Sequence, residues 1–312
     1  MATEALFLLV LLNLVASAAI VFVFLLRPFV RRSFGAQHAY ALWLTVPLAM
    51  AGALFPHVEP SGPTGLLDAA KGRAETWLSA GLHSQALAAV WALGLVVCIG
   101  LLVWRFARFL ARARCGQAGP AIVGVFMPRL VTPADFSVRF TPEERRLVRA
   151  HERAHMDRLD ARYNALALAL QCLNWFNPLV HLAARAMRFD QELACDATVM
   201  ARLPAERRRY AETLLRSHEA TNVSPLGCGW MGGRSHPLVT RLTTLMRGRP
   251  ADRRRSLGNL LLATLWTAAL AGAWAAQPPY RLPEPPMVLV LDLTPPAPAA
   301  PPKVRIPAGR RR

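Results

Sequence analysis

Four stretches of the chain, roughly 5–26, 37–55, 86–104 and 258–276, are apolar and contain no Asp, Glu, Lys or Arg. A helix of about 20 such residues crosses the hydrocarbon core of a bilayer. It also satisfies its own backbone hydrogen bonds there, which few other structures can do. Four runs of this length therefore predict a multi-pass α-helical membrane protein. Composition sharpens the prediction. Hydrophobic residues make up 54% and the mean hydropathy is +0.26, yet the formal net charge is +18. That charge is almost all Arg, with Lys only at Lys71 and Lys303. Ala16-Ser17-Ala18 resembles a signal-cleavage site, but Glu4 is the only charge before the first run, which continues to Leu26. A cleaved signal has a basic start and a shorter core, so the run is read as an uncleaved span.

Orientation follows from where the basic residues flank the spans. Arg27, Arg31 and Arg32 follow the first run, and Arg105, Arg108, Arg112 and Arg114 follow the third. Arg247, Arg249, Arg253, Arg254 and Arg255 precede the fourth. Between the second and third runs, Lys71 and Arg73 are offset by Glu59, Asp68 and Glu75. The first and third loops are thus expected in the cytoplasm, and the second loop and both termini outside. The expected organisation is three spans with short loops over 1–104, a cytoplasmic domain over 105–257, a fourth span over 258–276, and a Pro-rich, disordered external tail over 277–312. Cys98, Cys115, Cys172, Cys195 and Cys228 form no C-x-x-C pair, which argues against a disulfide framework or a cysteine zinc knuckle. They read as reduced and mostly structural. Arg-rich segments at 105–114, 206–209 and 253–255 lack a helix-turn-helix or interleaved aromatics, so no direct nucleic-acid contact is expected.

The domain over 105–257 carries the chemistry. Residues 121–131 read as a strand or two before a turn at Pro133. Thr141-Pro142-Glu143-Glu144 then combines an N-cap, a first-turn proline and a capping-box glutamate. The helix it starts runs into HERAH, residues 151–155. Positions i and i+4 share a helix face, so His151 and His155 can hold one metal ion, and imidazole suits zinc. Glu152 stands one step round the helix, placed to take a proton from water whose pKa the zinc lowers to about 7. The plain alternative is a chance H-E-x-x-H on an ordinary helix.

A catalytic zinc needs a third protein ligand and an open position. A helix starting at Asn177-Pro178 carries DQELACD, with Glu192 and Asp196 again i and i+4. Glu192 is the expected third ligand. Asp196 is expected to accept a hydrogen bond from the far nitrogen of a ligand histidine. The alternative is a solvated acidic face, given Asp190 nearby. The apolar stretch 164–184 is long enough to span, but one crossing would separate His155 from Glu192 across the bilayer. It is expected instead as a helical hairpin turning at Asn174–Pro178.

HERAHMDRLD, WFNP, DQELACD and the upstream PRLVTPADF together resemble the BlaR/MecR antirepressor family of integral-membrane zinc metallopeptidases, densest over residues 122–200. The resemblance implies a gluzincin-type α+β peptidase domain inserted before the last span and a place in the bacterial inner membrane. It also implies Zn2+ held by His151, His155 and Glu192, with Glu152 as catalytic base. The expected function is hydrolysis of peptide bonds in a cytoplasmic protein, a transcriptional repressor or the chain itself, during signal transduction. The lipid bilayer is a further partner, and a homodimer is compatible with this picture. The sensor proteins of the family carry an external penicillin-binding domain. Residues 277–312 hold no S-x-x-K motif, so that sensor is expected to be lacking.

Two residues compete as donors to the oxyanion. Ser235-His236-Pro237 followed by Arg241 resembles a segment of HtpX-type membrane proteases, and Tyr210 is the rival to His236. Arg153, within HERAH, is expected to face solvent. Two other functions stay open. One is a quality-control protease for membrane proteins. The other is a non-catalytic signalling scaffold, against which Glu152 argues because a structural zinc needs no base.

Overall fold

The computed structural model describes residues 2–55, 82–219, 237–247 and 251–276. Helix α1 (Ala2–Phe34) ends on two arginines and is followed by Gly35. At φ 98°, Gly35 adopts backbone open mainly to glycine, and it reverses the chain. The second apolar stretch departs from expectation. It forms α2 (Ala36–Ala41), a 3-10 turn (Leu42–Leu44) and α3 (Thr45–Gly52), right-handed helical at both joins but tightened in the middle and not one uninterrupted α-helix. Pro47 accounts for the interruption, because it has no N–H for the carbonyl of Trp43 and the preceding residues tighten. Among the described residues three helices are long and apolar enough to cross a membrane. They are α1, α4 (Leu82–Arg114) and a last helix over 252–276.

After α4 come β1 (Ala121–Val123) and β2 (Arg129–Val131), an antiparallel pair in which Ile122 opposes Leu130. These are the only strands among the described residues, which are otherwise helical, so the described part of this domain is mostly helical with one two-stranded sheet. The helices are α5 (Phe136–Arg139), α6 (Pro142–Asp157), α7 (Asp160–Leu173), α8 (Pro178–Arg202), α9 (Arg207–Glu219) and α10 (Pro237–Arg247). Helix α11 (Asp252–Ala276) completes the set. The capping box forms as expected. The Glu144 amide donates to Thr141 Oγ1 and the Thr141 amide to Glu144 Oε2.

Helix α8 links two cores. Its first half packs Val180, Ala183 and Ala186 against Ile20, Val23, Val30, Leu42, Val46 and Leu262 of the apolar helices. Its second half packs Cys195, Val199 and Met200 against Leu147, Ala154, Tyr210 and Leu245. The outer faces of α1, α4 and α11 leave Leu14, Leu25, Val96, Val103 and Leu260 exposed, as a lipid-facing surface requires.

The stretch 164–184 forms the expected hairpin of α7 and α8, and its tip reaches well along α1. Asn13 donates to Asn174 Oδ1 (2.8 Å), and Asn177 donates to Asn13 Oδ1 (3.1 Å) and Ser17 Oγ (2.8 Å). Asn177 also caps α8 by accepting from the Leu179 amide. On α4, Trp91 donates to the Leu173 carbonyl, and Trp175 packs so close to Gly94 that a Cβ there would fall 2.1 Å from its ring. At 1.5 Å per residue, roughly 21 Å of α1 separates Asn13 from Arg27. An unsatisfied polar group at such depth costs several kcal/mol, which is why the tip carries asparagines and α1 supplies partners.

Candidate metal centre

Helix α6 sets His151 and His155 one turn apart, with Ala154 fully buried between them and Arg153 exposed as expected. Their Nε2 atoms lie 3.1 Å apart. Glu192, on α8, places Oε2 3.4 Å from His151 Nε2 and Oε1 3.5 Å from His155 Nε2. Donors bound to zinc at 2.0–2.1 Å in a tetrahedron stand about 3.3 Å from one another. The three separations match that edge, so the donor set fits a tetrahedral ion with one position left open. The surroundings give the same fit, because both imidazoles are held by their Nδ1 atoms and present Nε2 to a common point.

His155 Nδ1 donates to Asp160 Oδ2 at 2.7 Å, and Asp160 is 1% exposed. The turn that brings Asp160 back under His155 requires Leu159 at φ 59°, a left-handed conformation that costs a leucine strain. His151 Nδ1 donates to the Tyr210 hydroxyl at 2.8 Å, and that hydroxyl donates to Asp196 Oδ1 at 2.7 Å. Asp196 Oδ1 lies 3.5 Å from His151 Nδ1, so the phenol is the nearer partner. Arg241, on α10, grips Asp196 with Nε (2.8 Å) and Nη2 (2.7 Å), and its Nη1 stands 3.0 Å from Glu192 Oε2.

The electrostatics follow from these contacts. Burial resists a charge on His151, but hydrogen bonds to Asp196 and Glu192 outweigh it and hold the imidazole up to about 10 in the metal-free protein. Burial would raise the Glu192 carboxyl. Arg241 chiefly reverses this, and the histidines add to it, leaving the acid well below the usual range. Asp196 is lowered in the same way against its own burial, again chiefly by Arg241. Glu152 moves the other way. Burial raises it, the two histidines pull it back in part, and it makes no hydrogen bond or ion pair among the described residues. Asp190 is no part of a solvated acidic face. Fully buried on the opposite side of α8, it accepts from Arg27 (2.5 Å) and Trp43 (2.8 Å). The site therefore stands level with the basic end of α1.

A second group, His155, Asp160 and Cys195, also lies close enough to hold an ion. Burial pushes the Cys195 thiol far up in the metal-free protein, and its S–H points at Asp160 Oδ2 (3.8 Å). Cys98, Cys115 and Cys172 are likewise free, and Cys228 lies outside the described residues.

The structure brings His151, His155, Glu192, Glu152 and Asp196 together. Tyr210 joins them on the Nδ1 side of His151, away from the common point of the donors. His236 lies outside the described residues. Two contributors were missed. Asp160 follows His155 by five residues as the first residue of α7, off the i, i+4 spacing of HERAH and legible only once the Leu159 turn is known. Arg241 was noted only as a flank of the His236 segment, and nothing in its sequence context points to Asp196.

A family profile described as BlaR1 peptidase M56 matches residues 7–75 and 69–245. The regulatory protein BlaR1 of Bacillus licheniformis is 32% identical over 154 residues, which cover 48% of this chain and 26% of that protein. The methicillin resistance mecR1 protein of Staphylococcus aureus is 28% identical over 98 residues, covering 31% of this chain and 17% of that protein. The match thus spans about a quarter or less of either relative. No solved structure matches the chain. With the profile running through the first three apolar stretches, HERAH and DQELACD, the chain belongs to the BlaR1 peptidase M56 family, a group of membrane metallopeptidases.

Proposed function

We propose that the protein is a zinc endopeptidase working at the cytoplasmic face of the bacterial inner membrane, and that it cuts a cytoplasmic repressor, or itself, in response to a signal. The reading rests above all on two imidazole nitrogens 3.1 Å apart, with the two Glu192 carboxylate oxygens 3.4 and 3.5 Å from them, beside the half-buried, unpaired Glu152 carboxylate. His151, His155 and Glu192 would hold the ion. The ion would supply Lewis acidity, polarising the scissile carbonyl and making water acidic enough to lose a proton near neutral pH.

The rest of the work falls to the chain. Glu152, raised by burial, takes the proton of the attacking water and passes it to the departing amine. Asp160 and the Tyr210–Asp196 pair hold each imidazole in the tautomer that keeps Nε2 free. Arg241 balances the Glu192 and Asp196 carboxylates of α8. Tyr210 serves better as this orienting group than as an oxyanion donor, since its hydroxyl is spent between His151 and Asp196. The cytoplasmic placement is supported by the Arg27–Asp190 pair, which fixes the site to the arginine-rich end of the first span.

Glu152→Gln keeps the side chain's shape and removes the base. Purified wild type and variant should contain equal zinc, while self-cleavage in the variant falls by about 10²–10⁴-fold. Undiminished cleavage by Glu152→Gln would remove the catalytic assignment.

A further inference from the structure

One residue of the apolar helices, Tyr40, reaches a proposed ligand histidine through hydrogen bonds alone. Tyr40 lies on α2, at the start of the second apolar stretch. Its hydroxyl donates to Asp160 Oδ1 at 3.0 Å, and the other oxygen of that carboxylate accepts from His155 Nδ1. Gln191, next to Glu192 on α8, donates to the same hydroxyl at 2.9 Å and is itself held by Asn164. The phenol has one hydrogen. With Gln191 donating to it, that hydrogen can go only to Asp160, so the direction of the chain is fixed.

We infer that Tyr40 is a positioning residue through which the second apolar segment controls the metal site, by way of Asp160 and His155. The inference rests on the metal-binding reading above. Asp160 is buried, and its Oδ1 has one other polar neighbour, Arg158 Nη2 at 3.4 Å, beyond good hydrogen-bond range. When the Tyr40 hydroxyl withdraws, the carboxylate turns toward Arg158, and Oδ2 leaves the line it makes with His155 Nδ1. An O–H···O bond weakens steeply outside about 2.5–3.0 Å, so a shift of α2 by about an ångström is enough. The segment is bounded by Gly35 at φ 98° and loses its α-helical hydrogen-bond pattern at the 3-10 turn before Pro47, which gives it two places to adjust. His151 has no such route, because its partners sit on α8 and α9. The packing around Tyr40 does not depend on its hydroxyl. The ring stacks under the Arg158 guanidinium (4.5 Å) and meets Tyr163 edge-on (6.2 Å).

The test is Tyr40→Phe in the full chain, in lipid nanodiscs. It reads Zn2+ and Co2+ affinity by chelator competition, the visible spectrum of the Co2+ form, and the thermal midpoint of the metal-free protein. The expected result is about tenfold weaker metal binding, the low end for loss of an outer partner of a ligand. The Co2+ bands shift and the midpoint stays put, which separates positioning from folding. Gln191→Met, which frees the hydroxyl without removing it, should weaken binding in the same direction by less. Adding Tyr40→Phe to Asp160→Asn should cost nothing further, because Tyr40 acts only through that carboxylate. Wild-type affinity and an unshifted Co2+ spectrum in Tyr40→Phe overturn the inference, and so do additive losses in the double variant. If the wild-type chain takes up neither metal, the reading beneath it falls instead.

Discussion

His151 and His155 sit one turn apart on a single helix, yet they are held by different parts of the molecule. His151 is fixed from the domain side, by Tyr210 on α9 and Asp196 on α8, with Arg241 of α10 behind them. His155 is fixed by Asp160, whose other oxygen is held by Tyr40 from the apolar helices. The domain side is a closed cluster of charges that cancel one another. The membrane side is a chain with a movable end. One half of the site is therefore built to be rigid and the other to be adjustable.

Glu192 belongs to both halves, so its loss is the largest test. Glu192→Ala removes one of three donors and leaves Arg241 with Asp196 alone. Zinc affinity should fall by well over the hundredfold that bounds the loss of an outer partner, measured by competition with a chromogenic chelator. Binding at wild-type strength would dissolve the comparison, because the two histidines would then have no common partner.

Tyr210→Phe is the domain-side counterpart of Tyr40→Phe. It should weaken zinc by about 10- to 100-fold. The contrast lies in the surroundings: the Tyr210→Phe deficit should be the same in detergent and in bilayers, and the Tyr40→Phe deficit should not. Equal responses to lipid would show that the halves are not mechanically distinct.

The smallest effect concerns protons. His151, held up to about 10, carries a proton at neutral pH in the metal-free protein, and an ion must displace it. Below that value each unit of rising pH relieves the competition, so affinity should climb by at most about tenfold between pH 7 and pH 8. Asp196→Asn lowers the pull on that proton and should flatten the slope. A flat wild-type profile would count against a charged His151.

Much of the rigid half was legible in the sequence. HERAH and DQELACD give their donors by helical periodicity, and the capping box fixes where α6 starts. The adjustable half was not. Asp160 acts through a left-handed Leu159, which no propensity favours, and Tyr40 lies in a run whose greasiness reads only as a span. That same run was expected to be one helix, and Pro47 was the unheeded signal against it. The α+β expectation came with the family resemblance, and just two three-residue strands support it. The alternative of a solvated acidic face around Asp190 stays open in the sequence because periodicity shows a face but not what covers it.

The hairpin of α7 and α8 carries a practical consequence. Beyond the hairpin itself, the asparagine tip is met among the described residues by Asn13 and Ser17, and the charge of Asp190 is answered by Arg27, all on the first helix. A fragment beginning after α4 would keep His151, His155 and Glu192, the proposed ligands, and still strand an acid and two amides among apolar side chains. The catalytic unit is not a globule tethered to a membrane anchor, and cutting at the loop cannot release it intact.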